Sequence, residues 1–167
     1  MARWLDDDEQ RAWRAWVAAT SLLTDRLNRD LQHQHGLTLA DYEILVRLSE
    51  APQGRLRMSE LAGRALSSRS RLSHQVARMT EAGLVARTEC ADDRRGAFAV
   101  LTDRGWHLLR EAAPDHVESV RSHLLDVLGR ERFLTLGESC ASVAAHLGAT
   151  DARALPDACA TTGAVPD

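Results

Sequence analysis

Ser67-Ser68-Arg69-Ser70-Arg71-Leu72-Ser73-His74-Gln75-Val76-Ala77-Arg78-Met79 is the stretch on which the reading of this 167-residue chain turns. At about 3.6 residues per turn, Leu72, Val76 and Met79 fall on one stripe, the spacing of a core-facing side. The opposite side carries Ser67, Ser70, His74 and Ala77, flanked by Arg71, Ser73 and Arg78. Short hydrogen-bonding groups hold its centre and arginines its edges, and no carboxylate lies between residues 67 and 79. A helix that faces only water usually mixes both signs of charge. This one asks for an anionic partner, with DNA as the first candidate.

Working outward, Gly83 closes this helix at Ala82. Upstream, Ser59 is expected to cap a short helix from Glu60 to Leu66, with Leu61, Ala62 and Ala65 inward. Leu56-Arg57-Met58 reads as a brief extended segment, and Ala51-Pro52-Gln53-Gly54 as a break. Thr38 and Asp41 form a capping pair for a helix carrying Leu39, Tyr42, Leu45, Val46 and Leu48. Downstream the period changes to that of strands. Leu84–Thr88 and Ala97–Leu101 read as a β-hairpin around a polar loop from Glu89 to Gly96.

Long helices flank this centre. Asp6-Asp7-Asp8-Glu9 opens the first, with acids where the helix dipole favours them. Trp13, Trp16, Val17, Thr20, Leu23, Leu27 and Leu31 then recur for about six turns until Gly36. A helix so long at the start of a small protein suggests packing against a partner subunit. Thr102 is expected to cap another from Asp103 to Leu128, bent at Pro114. A last helix, Arg130 to Leu147, presents Phe133, Leu136, Cys140, Val143 and Leu147 on one side. The predicted division is 1–37, 38–102, 103–147 and a flexible tail at 148–167.

The net charge of −3 says nothing for nucleic acid, but its distribution does. Between Arg55 and Arg95 stand nine arginines against five carboxylates, while the remainder holds twelve against nineteen. That is a basic module on an acidic scaffold. No stretch is long and apolar enough to span a bilayer, and the acidic N-terminus does not suit a signal peptide, so the expected location is cytoplasmic. Cys90, Cys140 and Cys159 are scattered, without metal or disulfide spacing. His33, His35, His116 and His123 form no evident ligand set, so no metal or cofactor is expected. GxSxG, HExxH and phosphate-loop motifs are absent, which argues against an enzyme.

Short helix, turn, amphipathic helix and hairpin is the order of a winged helix-turn-helix. Residues 38 to 105 resemble the DNA-binding core of the MarR family of bacterial transcription regulators. The resemblance is carried by Ser59-Glu60-Leu61-Ala62, by the run from Ser70 to Met79, and by Glu81-Ala82-Gly83-Leu84-Val85-Ala86-Arg87. Asp93-Arg94-Arg95-Gly96 and Leu101-Thr102-Asp103-Arg104-Gly105 continue it. The Asp-x-Arg signature of that family's wing matches Asp93 and Arg95. The implied fold is mostly α with a small β-hairpin, a winged helix-turn-helix core between long N- and C-terminal dimerisation helices.

The resemblance also implies roles. Ser70, Arg71, Ser73 and His74 would face bases or phosphates in the major groove. Arg78, with Ser67 or Ser68, would hold phosphates, and Arg69 would reach DNA from the first turn. Arg95, oriented by Asp93, would enter the minor groove, with Arg94 on phosphate. The implied protein is a homodimeric repressor on a pseudo-palindromic site of double-stranded DNA, released by a small aromatic effector. Trp13, Trp16, His33, Tyr42 and Trp106 lie on helices that would wall the effector cleft, although such aromatics also serve as core or dimer interface. Peroxide-sensing members use a cysteine in the first helix, which here has none. The competing reading is a winged-helix protein-interaction module without DNA binding.

Overall fold

The computed structural model describes residues 2–64, 68–90 and 93–148, with backbone only at 69, 89, 90 and 93–96. Ala65, Leu66 and Ser67 lie outside it, as does the expected tail from 149 onward. The first helix, α1 (Asp7–His35), starts on a capping box: Asp6 accepts from the Glu9 N–H, and Glu9 accepts from the Asp6 N–H. It ends on Gly36 in the left-handed region. Its 29 residues make about eight turns, with the acidic residues in the first turn as the sequence suggests.

Helix α2 (Leu39–Ser49) is the centre of the molecule, with Tyr42, Ile44, Leu45, Val46 and Leu48 all buried. Its capping box is Thr38 with Asp41, as the sequence suggests. A single 3-10 turn (Pro52–Gly54) leads into β1 (Arg55–Arg57), which passes directly into α3 (Met58–Arg64). Ser59 is therefore inside the first turn of α3 and is not its cap. The strand pairs as far as Arg57 opposite Phe98, so the chain turns into the helix earlier than the sequence implies. Leu61 and Ala62 point into the core as expected.

Helix α4 (Arg69–Glu81) starts on Ser68, whose hydroxyl accepts from the Arg71 N–H. It ends on Gly83, at φ +71°. The Leu84 N–H reaches the Met79 carbonyl and the Gly83 N–H that of Thr80, the paired bonds of a Schellman stop. Strands β2 (Val85–Cys90) and β3 (Asp93–Leu101) complete an antiparallel sheet ordered β1-β3-β2. The expected hairpin is thus a three-stranded sheet. Its strands also run into the stretch read as loop, with a register shift between Glu89 and Cys90. Backbone ladders need no apolar side chains, so polar residues continue the pairing beyond the core.

Helix α5 (Asp103–Val120) starts on Thr102, which accepts from the Gly105 N–H. The helix runs through Pro114 and passes into a π-helical turn (Arg121–Leu125), closed by the Asp126 N–H on the Arg121 carbonyl. A short α6 (Asp126–Leu128), Gly129 and α7 (Arg130–His146) follow. One buried cluster extends from Leu31 through α2, α3, α4 and the sheet to Leu109 and Ala112 of α5.

The long helices are joined to this body through α1 and α5. Ser119 donates to Asp30 at 2.6 Å, Arg26 bonds the same carboxylate at 3.0 Å, and His35 meets Asp115 at 2.9 Å. The Ser119 hydrogen bond is the main cause holding the Asp30 carboxyl below its ordinary range, helped by Arg26 and opposed by burial. Asn28 also accepts from the Leu39 N–H at 3.0 Å, but the N-terminal part of α1 is largely exposed among the described residues. Only Leu27 and Leu31 are buried, while Trp13, Trp16, Val17 and Leu22 are exposed. Helix α7 has no buried residue, and Leu134, Val143 and Leu147 are exposed.

Candidate nucleic-acid interface

Helix α4 sorts its side chains as its periodicity requires. Leu72, Val76 and Met79 are 1%, 0% and 2% exposed, seated in the common core. That seating turns Ser70, Arg71, Ser73, His74, Ala77 and Arg78 outward together. Arg71, His74 and Arg78 are spaced by three and four residues and so line one stripe. From Ser68 to Thr80 no carboxylate interrupts this face. It can offer hydroxyl, imidazole and guanidinium donors side by side, the set that reads base edges and phosphates.

The helix is braced from behind. Gln75 is half-buried and donates to Asp41 at 3.2 Å, and Arg78 donates to the same carboxylate oxygen at 2.8 Å. Asp41 is a buried residue on α2, separated from Arg78 by 37 positions. Sequence reasoning read it only as a capping partner. Nothing local in the sequence connects the two, because the pairing depends on how α2 crosses α4.

Among the other expected DNA contacts, Ser68 is the helix cap. Ser67 lies outside the described residues, as do the side chains of Arg69, Asp93, Arg94 and Arg95, so the Asp-x-Arg geometry of the wing does too. The backbone from Asp93 to Arg95 belongs to β3, at the end of the sheet remote from α5. On the outward face of that sheet Phe98 lies beneath two guanidinium groups, those of Arg55 and Arg57, each 5.2 Å from the ring centre. These arginines were not singled out in the sequence. The alternation Arg-Leu-Arg was the available signal, a strand period too short to stand out.

The five effector candidates lie on α1, α2 and α5. Tyr42 is buried against the His116 ring, 4.4 Å centre to centre. Trp106 packs beside the core, near Gly54 and beneath Arg110. Trp13, Trp16 and His33 are exposed along α1. His116, to which the sequence assigns no role, is the more informative residue. It is buried, its Nδ1 has no hydrogen-bond partner among the described residues, and burial lowers its pKa. Among the described residues no group of three His, Cys, Asp or Glu converges to hold a metal, and no helix is long and apolar enough to cross a membrane.

Known proteins share this arrangement. The profile of the MarR family matches residues 35–96, from the end of α1 to the wing. AbsC, a MarR family transcriptional regulator from Streptomyces coelicolor, is 51% identical, with a TM-score of 0.82 over 87% of this chain and 98% of its own. The chain belongs to the MarR family. A second MarR family regulator from Streptomyces coelicolor, solved in complex with DNA, is 47% identical, with a TM-score of 0.86 over 89% of this chain and 92% of its own. The HTH-type transcriptional regulator FarR of Neisseria gonorrhoeae is 31% identical over 116 residues, 70% of this chain and 77% of FarR. These MarR relatives are transcriptional regulators and not enzymes, and so is this chain. The MarR match spans the helix-turn-helix and most of the sheet, the elements that expose the α4 face.

Proposed function

We propose that this regulator is a homodimeric repressor that binds a pseudo-palindromic DNA site through α4 and its wing, and that a small aromatic ligand releases it. The carrying observation is the α4 face: Leu72, Val76 and Met79 hold the helix down and leave Ser70, Arg71, Ser73, His74 and Arg78 exposed without a carboxylate. Two-fold symmetry would set two such helices in successive major grooves. The DNA-bound relative of the same fold supports this reading. On the proposed reading, Arg71 and His74 would contact bases or phosphates, Arg78 would hold phosphate, and Arg95 would enter the minor groove, with Asp93 ordering it and Arg94 on phosphate.

The exposed apolar residues of α1 and α7 supply the dimer surface, including Trp13 and Trp16. An aromatic effector that opened the buried Tyr42–His116 pair would find in His116 Nδ1, which has no hydrogen-bond partner among the described residues, a group able to bond a phenol or carboxylic acid. A ligand there acts by changing the spacing of the two lobes so that both cannot dock. Fluorescence anisotropy against the DNA upstream of the protein's own reading frame tests the central claim. Arg71→Ala is expected to weaken binding by roughly 1–3 kcal/mol if it contacts a base in bidentate fashion. If Arg71→Ala, His74→Ala and Arg95→Ala all bind as tightly as the wild type, the surface is wrongly assigned. A wild type without salt-dependent affinity would favour the protein-interaction module instead.

A further inference from the structure

The Asp41 carboxylate collects partners from two helices. One oxygen, Oδ1, accepts from Arg78 at 2.8 Å and from Gln75 at 3.2 Å. The other, Oδ2, accepts from the Thr38 hydroxyl at 2.6 Å and lies 3.4 Å from the Thr38 backbone nitrogen. The aspartate side chain is only 11% exposed, whereas that of Arg78 is 62% exposed. The arginine is thus anchored at one end of its guanidinium and open at the rest. A guanidinium has five N–H donors in a rigid plane, so fixing one edge fixes the direction of the others. Arg78 itself lies on the exposed stripe of α4 shared with Arg71 and His74.

We propose that Asp41 is a positioning residue of the DNA interface: it holds Arg78 in the orientation that grips a backbone phosphate, and with Gln75 it sets the angle of α4 against α2. The proposal rests on the reading of α4 as the DNA-contacting helix. Asp41 touches no DNA itself. An unanchored arginine would have to freeze its long side chain on binding, a cost that the ion pair meets when the protein folds. The buried carboxylate can carry this task because Thr38 satisfies its second oxygen independently of DNA.

The sign of one substitution separates this role from general electrostatics. Asp41→Asn removes a negative charge close to the phosphates, so electrostatics alone makes it bind DNA more tightly. Positioning makes it bind more weakly, by roughly three- to tenfold, the effect of releasing one long side chain. The full chain is titrated by anisotropy with a fluorescein-labelled duplex of its own upstream DNA, across a range of KCl concentrations, with thermal melts in parallel. Arg78→Ala is expected to lower the slope of log K against log salt by about 0.9, one phosphate contact. Asp41→Asn combined with Arg78→Ala is expected to bind no worse than Arg78→Ala alone, the non-additivity of a coupled pair.

Asp41→Asn binding as tightly as the wild type, or more tightly, overturns the proposal, and so does an unchanged salt slope for Arg78→Ala. Should Asp41→Asn fail to fold, Arg78→Lys decides. It keeps the charge but loses the planar fork, so weakened binding supports positioning and wild-type binding overturns it. A wild type with no salt-dependent affinity for the duplex instead removes the reading of α4 on which the proposal rests.

Discussion

Gly105 sits where α5 leaves the sheet, and substituting it sets two known effects against each other. Alanine is the better helix former by up to about 1 kcal/mol, so propensity alone raises stability in Gly105→Ala. The packing says otherwise. A Cβ at Gly105 would lie 2.2 Å from the Leu84 carbonyl oxygen and 2.9 Å from Leu101 Cδ1. Ordinary contact requires an opening of about 1 Å against backbone, which cannot swing aside as a side chain can. The Leu84 oxygen is also held in place, accepting from the Thr102 N–H at 3.2 Å and from its hydroxyl at 3.0 Å.

Overpacking of this kind costs about 1–3 kcal/mol, and loosening either bond to Leu84 adds about 1 kcal/mol. Set against a propensity gain of up to about 1 kcal/mol, the net expectation is a loss of about 1–4 kcal/mol. At about 2–4 °C per kcal/mol for a chain of this size, melting falls by roughly 2–16 °C. The assay is thermal unfolding followed by circular dichroism at one fixed protein concentration. Gly63→Ala is the control, because its Cβ would meet nothing within 4 Å; it is expected to melt at or slightly above the wild type. A Gly105→Ala protein that melts with or above the wild type would refute the close approach of α5 to the sheet.

Two further outcomes are expected. Burial lowers the pKa of His116, so the folded protein keeps this ring neutral where the unfolded chain would protonate it. Above the unfolded value of about 6.5 the residue contributes nothing to the pH dependence; below it stability falls as pH falls. His116→Phe should therefore lose less stability than the wild type between about pH 6.5 and 5, and identical losses in melts across that window would count against the buried neutral ring. Leu72→Ala empties a fully buried position beneath α4, with an expected loss of about 2–5 kcal/mol in urea unfolding. A loss under about 1 kcal/mol would mean that α4 is not seated on the core as described.

The parts legible in the sequence are those where one local rule is also the rule of packing. Leu72, Val76 and Met79 show it for α4, where helical period and core contact coincide. The caps at Thr38, Thr102 and Gly83 show it too, because each satisfies backbone groups within a few residues. Local rules are silent where long-range pairing decides. Leu56 and Arg57 read as extended from the sequence, but their pairing with β3 does not. Asp41 and Arg78 meet only once α2 crosses α4. The surroundings of the aromatic candidates depend on long-range packing in the same way. Trp13 and Tyr42 share a helical spacing logic with their neighbours, yet one is left exposed and the other is driven against His116.

The π-helical turn at Arg121–Leu125 carries a geometric consequence for the C-terminal arm. A bond spanning five residues instead of four accommodates one extra residue without breaking the helix. Each residue of an α-helix advances the chain by about 100° around its axis. Everything after the turn, from Asp126 through α7, is therefore rotated by about that angle relative to an uninterrupted α5. Deleting a single codon within this turn would restore the regular helix and swing the whole arm to another side of the body. No side chain on the arm or in the core would change. The direction in which this protein extends its C-terminal helix is thus written in chain length, as a count of residues between Ser119, tied to Asp30, and Gly129.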